Sequence, residues 1–352
     1  MSQPNPLANR ASIADMNTTP LPDGLYPPLE PDETGWLEVC EGHRLYFEQC
    51  GRPGGLPVLM LHGGPGSGCS PQHRRLLDPV QCRVTLFDQR GCGRSQPRGA
   101  LQGNTSAHLV ADIEQLRRHL GIERWLVVGG SWGAGLALAY AAAYPVSCLG
   151  LVLRGVFLGR RSDLDWFFQQ AGQLLPDAWD ALARQAPASE RGDLLRWLGA
   201  GLHGELPQVA LERAQAWRDW ETSLTARQMT SRPSPLPGTQ EAAALLDLYR
   251  VQSHYLMHDC FWGGVGLLER ARSLDAVPTA ILHGRLDWIC RPQAAWDLHL
   301  ALPGSRLAWL DGCGHSPFEP AMARTFDQAV AHYALQGDFR NWGAHFSETT
   351  TP

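Results

Sequence analysis

The chain lacks several features that would place it in other classes of protein. It has no excess of positive charge, because 30 lysines and arginines stand against 35 aspartates and glutamates. Without a basic field it is not expected to bind nucleic acid or an anionic membrane surface. It also has no run of about 18 consecutive apolar residues, the length that a membrane-spanning helix needs. We therefore expect neither nucleic acid nor a membrane as a partner.

C-x-x-C pairs and metal-ligand spacings of cysteines are also missing. The nine cysteines include no C-x-x-C pair, and an odd number of unpatterned thiols is typical of a reducing compartment. The first residues show neither the positive nor the apolar region of a secretory signal. These observations predict a cytoplasmic protein with no metal and no cofactor, and no pattern predicts its oligomeric state.

What the chain does contain is a set of short apolar runs without alternation. They stand at residues 58–61, 84–87, 125–128, 149–153, 278–283 and 307–310. Runs of this length separated by helical patterns indicate parallel strands buried on both faces. A hairpin is predicted at residues 37–48, and a helix capped by Asn104 is predicted to end at Gly121. The fold class is therefore α/β, with a mostly parallel central sheet flanked by helices.

Composition divides the chain into five predicted segments. They are an N-terminal arm (1–32), a first core segment (33–159), a cap (160–270), a second core segment (271–340) and a C-terminal tail (341–352). The arm is polar and proline-rich, which predicts loose attachment. The cap segment has no strand-like run and carries amphipathic helical pieces, broken by the proline-rich residues 232–237. We interpret it as an all-helical domain inserted into the core.

The sequence GGSWG at residues 129–133 follows a predicted strand and opens a predicted helix. In that context G-x-S-x-G forms a nucleophile elbow, a sharp turn that projects Ser131 outward and needs small neighbours. An ordinary glycine-rich turn with a capping serine is the alternative for the bare pattern. The strand and helix on either side favour the elbow.

A serine nucleophile needs a base, and the base needs an orienting acid. Asp287 follows the run at 278–283, and His315 follows the run at 307–310. Their order matches the serine, acid, histidine order of α/β-hydrolases. Each residue alone has a simpler interpretation, as a turn aspartate or a surface histidine. The three together predict a catalytic triad.

The sequence HGGPG at residues 62–66 follows another predicted strand. Consecutive glycines let backbone N–H groups approach a developing oxyanion. We predict an oxyanion hole from Gly63 and Gly64 together with the N–H of Trp132. A phosphate-binding loop is the alternative, but neither phosphate-binding glycine pattern is present here.

HGGPG, the sequence DQRGCGRS at residues 88–95 and GGSWG together resemble the proline iminopeptidases, which are serine peptidases of the α/β-hydrolase fold. The similarity runs from about residue 26 to the last predicted helix. It implies removal of an N-terminal proline from small peptides, with Ser131, Asp287 and His315 as the triad.

The resemblance also nominates residues for substrate binding. The sequence WRDWE at residues 217–221 resembles the segment with which the family recognises the free imino group, and it points to Glu221; a helix-surface glutamate is the alternative. Residues 250–255 resemble a segment that usually carries a glutamate before x-His-Tyr, and here that position is Gln252. The substrate-binding prediction comprises Glu221, Gln252, His254 and Tyr255. His254 and His258 have the spacing of zinc ligands but no third ligand nearby, so we interpret them as pocket or core histidines.

The leading hypothesis is a cofactor-free serine aminopeptidase that releases N-terminal proline through an acyl-enzyme. An esterase or amidase of the same fold is the first alternative, because Gln252 removes one negative charge from the expected amine site. A non-catalytic binding protein of this fold is the second.

Overall fold

The computed structural model describes residues 19–229 and 237–343. Its strands are β1 (Glu33–Glu38), β2 (Arg44–Gly51), β3 (Leu56–Leu61), β4 (Cys82–Phe87), β5 (Trp125–Ser131), β6 (Cys148–Val156), β7 (Thr279–Gly284) and β8 (Arg306–Leu310). Its α-helices are α1 (Ser106–His119), α2 (Trp132–Ala143), α3 (Arg161–Phe168), α4 (Pro176–Ala183), α5 (Leu194–Leu202), α6 (Pro207–Ala226), α7 (Thr239–Leu256), α8 (Leu267–Ala271), α9 (Pro292–Ala301) and α10 (Pro320–Gln336). None of these helices is both long and apolar enough to cross a membrane.

The strands form one sheet in the order β1-β2-β4-β3-β5-β6-β7-β8. Strands β3 to β8 are mutually parallel, whereas β2 pairs in antiparallel fashion with β1 on one side and with β4 on the other. Each of the six predicted apolar runs lies in one of the parallel strands, and the predicted hairpin is the β1–β2 pair. The α/β fold class is confirmed.

The absence of alternation in the apolar runs has a direct structural cause. In β3, Val58 and Met60 belong to the hydrophobic cluster on the α10 side of the sheet, whereas Leu59 and Leu61 belong to the cluster that contains α1 and α2. Successive side chains of a strand point to opposite faces. Because helices cover both faces, every position of the strand is apolar.

The helix predicted to follow Asn104 is α1, and its first residue differs from the prediction. Thr105 is the N-cap, and its side chain accepts a hydrogen bond from the N–H of His108. Asn104 is instead fully buried, and its side-chain amide donates to the carbonyl oxygens of Arg90 and Ala100. The cap prediction was therefore wrong by one residue, because tertiary contacts occupy the Asn104 side chain.

Between β6 and β7 the described residues form helices and turns, with no strand. Helices α5, α6 and α7 pack on one another, and Trp217 and Trp220 of α6 are buried. We refer to helices α3 to α7 as the cap helices. The boundaries 160–270 stay a prediction, and most of the proline-rich break at 232–237 lies outside the described residues.

The part of the predicted N-terminal arm that the structure describes is attached to the core, contrary to the loose attachment expected. Leu25 and Tyr26 are each only 4% exposed. The Tyr26 hydroxyl donates to Asp327 of α10 at 2.9 Å, and its backbone N–H donates to the Arg75 carbonyl at 2.8 Å. Composition gave no sign of these two anchors, and residues 1–18 of the arm and 344–352 of the tail lie outside the described residues.

Candidate active site

Ser131 stands where β5 ends and α2 begins, in a backbone conformation that side chains rarely adopt. Its φ is 57° and its ψ is −126°. A positive φ at a residue other than glycine is strained and is typical of functional sites. The predicted sharp turn between strand and helix is present at this serine.

The glycines around Ser131 leave no room for a side chain. A Cβ on Gly129 would lie 2.4 Å from the carbonyl oxygen of Gly133, and one on Gly133 would lie 2.3 Å from that of Leu61. A Cβ on Gly130 would meet the Arg154 guanidinium at 2.3 Å. Close backbone approach therefore requires glycine at 129 and 133, and the Arg154 side chain occupies the space beside Gly130.

Asp287 and His315 are brought together from the ends of two neighbouring strands. His315 Nδ1 lies 2.8 Å from Asp287 Oδ2. The other carboxylate oxygen accepts the backbone N–H groups of Ile289 at 3.0 Å and Cys290 at 2.8 Å. Asp287 is 2% exposed, so its carboxylate is held in one orientation against the imidazole.

The electrostatics of this pair favour an ionised acid. Burial raises the pKa of Asp287, but the adjacent His315 and the backbone N–H of Cys290 outweigh burial, and the net pKa is lowered. The ionised carboxylate accepts a hydrogen bond from Nδ1–H, which leaves the lone pair of the imidazole on Nε2. This is the tautomer that a general base requires.

The predicted oxyanion segments lie beside Ser131 and are linked to each other. A Cβ on Gly63 would stand 3.4 Å from the Ser131 Cβ, so the glycine loop passes next to the serine. Gln89 connects this loop to the elbow: its Nε2 donates to the His62 carbonyl at 3.1 Å, and its Oε1 accepts from the Trp132 indole at 2.9 Å. Trp132 is the first residue of α2, where backbone N–H groups are free of helical partners.

One cavity of about 240 Å³ contains most of the predicted site. It is bounded by the elbow and the glycine loop of the core and by side chains of the cap helices. The residues that line it are Gly63, Gly64, Ser67, Gly68, His73, Ser131, Arg154, Phe157, Asp163, Leu164, Phe167, Phe168, Glu221, Gln252, Leu256, Ile289, Cys290, His315, Pro317 and Phe318.

Glu221 and Gln252 both face this cavity from the cap helices. Burial raises the pKa of Glu221, and the hydrogen bond from the Tyr249 hydroxyl, at 3.1 Å, opposes that rise. Within the described part of the chain no cation pairs with this carboxylate. Gln252 is 6% exposed, and its side-chain amide has no hydrogen-bond partner among the same residues. The cavity thus offers one carboxylate and one amide with unused hydrogen-bonding capacity.

His254 and Tyr255 are placed elsewhere than predicted. Neither is among the described residues that line the cavity. His254 Nε2 lies 2.9 Å from the Asn104 carbonyl oxygen, and the Tyr255 hydroxyl donates to Asn104 Oδ1 at 2.6 Å. Tyr255 also packs edge-on against Trp132, with ring centroids 4.8 Å apart. Their contacts hold α7 against the core, and they give no support to a substrate-binding role.

Arg154 and Cys290 are among the cavity residues that were missed in the sequence. Arg154, at the end of β6, donates to the His315 carbonyl at 2.7 Å and so anchors the loop of the histidine. Cys290 Sγ lies 3.9 Å from Ser131 Oγ. A charged residue at the end of an apolar run signalled Arg154. No motif marks Cys290, because its place depends on the turn after Asp287.

A metal site is not found in the described ranges, where no three histidine, cysteine, aspartate or glutamate side chains are arranged to hold an ion. His254 and His258 lie next to each other, with ring centroids 5.3 Å apart, and Phe261 packs against both. His254 is partly buried and His258 is exposed, and neither lines the cavity, so the interpretation as pocket or core histidines was wrong for His258.

Comparison with known proteins gives the family. A family model described as the alpha/beta hydrolase fold matches residues 57–321. The chain is 45% identical to a proline iminopeptidase of Xanthomonas citri over 88% of its own length and 99% of the relative. It is 42% identical to a proline iminopeptidase of Arabidopsis thaliana over 85% of its length and 79% of the relative. The chain belongs to the proline iminopeptidase family.

Solved structures agree with the fold of this family. A proline iminopeptidase of Mycobacterium smegmatis superimposes with a TM-score of 0.52 at 20% identity, covering 87% of this chain and 99% of that one. VinJ gives a TM-score of 0.58 at 21% identity, with 87% and 99% covered. At such identities the likeness concerns the fold alone. The resemblance read from HGGPG, DQRGCGRS and GGSWG is confirmed as membership of the proline iminopeptidases.

Proposed function

We propose that this chain is a serine aminopeptidase that releases N-terminal proline from small peptides. The observation that carries the proposal is a shared cavity. It contains the strained Ser131, the His315 imidazole held by Asp287, and the Glu221 carboxylate without a cation. A nucleophile, a base and an anionic site for an amine are what this reaction requires.

In the proposed acylation, Ser131 Oγ bonds to the carbonyl carbon of the substrate proline while His315 Nε2 takes the hydroxyl proton. The carbonyl oxygen becomes an oxyanion, which the backbone N–H of Trp132 and those of Gly63 and Gly64 stabilise. The C–N bond then breaks, and the amine of the leaving peptide receives the proton from His315. The products of this step are a prolyl ester on Ser131 and the shortened peptide.

Deacylation repeats the sequence with water. His315 takes a proton from water as the water oxygen attacks the ester carbonyl, and the same oxyanion contacts apply. The ester bond breaks, Ser131 Oγ regains the proton, and free proline leaves. Asp287 remains ionised throughout and stabilises the imidazolium that forms in each step.

Glu221 is the proposed partner of the prolinium nitrogen, which carries a positive charge. A buried cation needs a counter-ion, because an unpaired charge in a closed pocket is costly. The Gln252 oxygen offers a second acceptor but no charge. Apolar groups of Phe157, Phe167 and Cys290 are available to the pyrrolidine ring.

A second candidate, an esterase or amidase with small acyl substrates, is favoured by Gln252 alone. Its neutral amide leaves Glu221 as the one carboxylate without a paired arginine among the described residues that line the cavity, since Asp163 is paired with Arg160 and Arg291. The machinery around Ser131 is unchanged in this candidate, since the fold does not fix the substrate.

Hydrolysis of proline β-naphthylamide by the purified protein separates these candidates. Alanine β-naphthylamide, an N-blocked proline amide and p-nitrophenyl acetate are the comparison substrates, and Ser131→Ala is the control. The proposal predicts strong preference for the unblocked proline substrate and its loss in Ser131→Ala. Activity on the ester alone, lost in the same variant, would assign the chain to the esterases. Failure of a fluorophosphonate probe to label Ser131 would contradict both enzymes.

A further inference from the structure

A histidine that the proposed mechanism does not use also lines the catalytic cavity. His73 belongs to a short 3-10 helix, Pro71–Arg75, which follows the glycine loop. Its ring packs edge-on against Phe318, with centroids 5.4 Å apart. His73, Phe318 and the proposed base His315 all line the same cavity.

The tautomer of His73 follows from its hydrogen bonds. The backbone N–H of Ser70 donates to His73 Nδ1 at 3.0 Å, and the Ser70 hydroxyl lies 2.9 Å from the same nitrogen. A nitrogen that accepts a hydrogen bond carries no proton, so the proton of the neutral ring is on Nε2. Nε2 has no hydrogen-bond partner among residues 19–229 and 237–343. His73 therefore presents an unused N–H donor to the cavity.

The ring keeps this form at ordinary pH. Burial, with the neighbouring His62 and the positive charge of Arg154 acting in the same direction, lowers the pKa of His73 to about 4, against the opposing effects of the Ser70 backbone and Asp88. His73 is thus neutral where a peptidase works, and it donates a hydrogen bond without supplying a charge or a catalytic proton.

The proposed reaction directs the leaving peptide toward this donor. Glu221 fixes the substrate nitrogen on the cap side, and His315 must reach the leaving nitrogen to protonate it. The peptide beyond the scissile bond then runs along the wall that contains Ser67, His73, Pro317 and Phe318. The first polar group it offers there, past the scissile amide itself, is the carbonyl oxygen of the second residue.

We propose that His73 Nε2–H donates a hydrogen bond to the backbone carbonyl oxygen of the residue that follows the proline. This inference rests on the proposed aminopeptidase function and deepens it. It assigns the chain a preference for true peptides over proline amides whose leaving group has no such carbonyl. His73 is a substrate-binding residue in this scheme and takes no part in proton transfer.

The test compares two substrates in two variants. Prolyl-glycyl-glycine has the carbonyl, and proline β-naphthylamide does not. His73→Phe removes the donor, and His73→Gln keeps an N–H of similar reach. The bond that His73→Phe loses is a neutral hydrogen bond. We therefore expect kcat/KM of this variant to fall about threefold to tenfold more on the peptide than on the arylamide. His73→Gln is expected to regain at least half of the peptide preference.

A matched control is available in His299, which is also partly buried and bonded through Nδ1 to a serine, Ser305 Oγ at 2.7 Å, but lies outside the cavity. His299→Phe is expected to leave the ratio of the two kcat/KM values unchanged. Equal losses on both substrates in His73→Phe, or no loss on either, would overturn the inference and leave His73 a packing residue. Wild-type protein inactive on both substrates would overturn the proposed function as well, so the two failures are distinguishable.

Discussion

Replacement of Glu221 by glutamine is the sharpest test of amine recognition. The substitution keeps the size of the side chain and its capacity to accept the Tyr249 hydroxyl, which lies 3.1 Å from the carboxylate. It removes the negative charge. No lysine or arginine in the described part of the chain is paired with Glu221, although its charge interacts with His315 and Tyr249. The main loss is therefore expected in the complex with a positively charged substrate.

The magnitude follows from the position of the carboxylate. Removing one partner of a buried, hydrogen-bonded charge pair costs about 2–5 kcal/mol. Glu221 is only partly buried, and glutamine retains a neutral hydrogen bond, so the lower part of this range applies. A loss of about 2–3 kcal/mol is a fall of about 30- to 150-fold in kcat/KM for proline β-naphthylamide. The ester p-nitrophenyl acetate has no amine and is expected to change little.

The assay is the ratio of kcat/KM for the proline substrate to that for the ester, measured across pH. Burial raises the pKa of Glu221, so the carboxylate is present above that raised pKa and is lost as pH falls through it. The ratio of the two kcat/KM values in the wild type is therefore expected to fall at low pH. Titration of His315 affects both substrates and so contributes little to the ratio. Glu221→Gln is expected to give a low ratio without that fall.

Glu212→Gln is the control, because Glu212 lies on the same helix and is exposed. It is expected to behave as the wild type. Equal losses on amide and ester in Glu221→Gln would refute the reasoning, because they would indicate damage to the machinery that both substrates share.

Three further predictions concern other parts of the molecule. Asp287→Asn, which no longer fixes the tautomer of the catalytic imidazole, is expected to lower kcat on the order of 10³- to 10⁴-fold at saturating substrate; a fall below tenfold would contradict its role. Tyr249→Phe removes a hydrogen bond that lowers the pKa of Glu221, so the acid limb of the substrate ratio moves to higher pH, and a shift to lower pH would be inconsistent with this. Asp112→Asn leaves Arg90 charged and fully buried without its bidentate partner, and urea unfolding is expected to show a loss of about 3–5 kcal/mol; an unchanged midpoint would be evidence against the importance of the pair.

The fold and the proposed triad could be predicted from the sequence because both depend on short-range patterns. Continuous apolar runs mark strands covered on both faces, and the carboxyl ends of parallel strands meet at one edge of a sheet. Asp287 and Ser131 directly follow such runs, and so does His315. A correct prediction of the parallel sheet was therefore enough to place these three residues at the same edge.

Features that depend on tertiary contacts were not predictable in the same way. Thr105 rather than Asn104 caps α1, because Asn104 is occupied by the core and by Tyr255. His254 lies two positions after Gln252 on α7, about 200° around a helix, and so it faces away from the cavity. Cys290 and His73 carry no motif, since only the folded turns bring them to the cavity.

The proposed catalytic groups lie in the core and the proposed substrate-recognition groups lie in the cap helices, and this separation affects how the substrate of the protein could change. The proposed nucleophile, base, acid and oxyanion donors all stand on the sheet and its loops, and Gln89 locks two of those loops together within the core. The cap helices contribute Glu221 and Gln252, the groups that would recognise the amine. Substitutions in the cap helices can therefore change which substrate is bound, while the residues of the core that cleave the bond stay the same. In this chain the cap helices are therefore the part in which substitutions can change substrate selectivity, by evolution or by design.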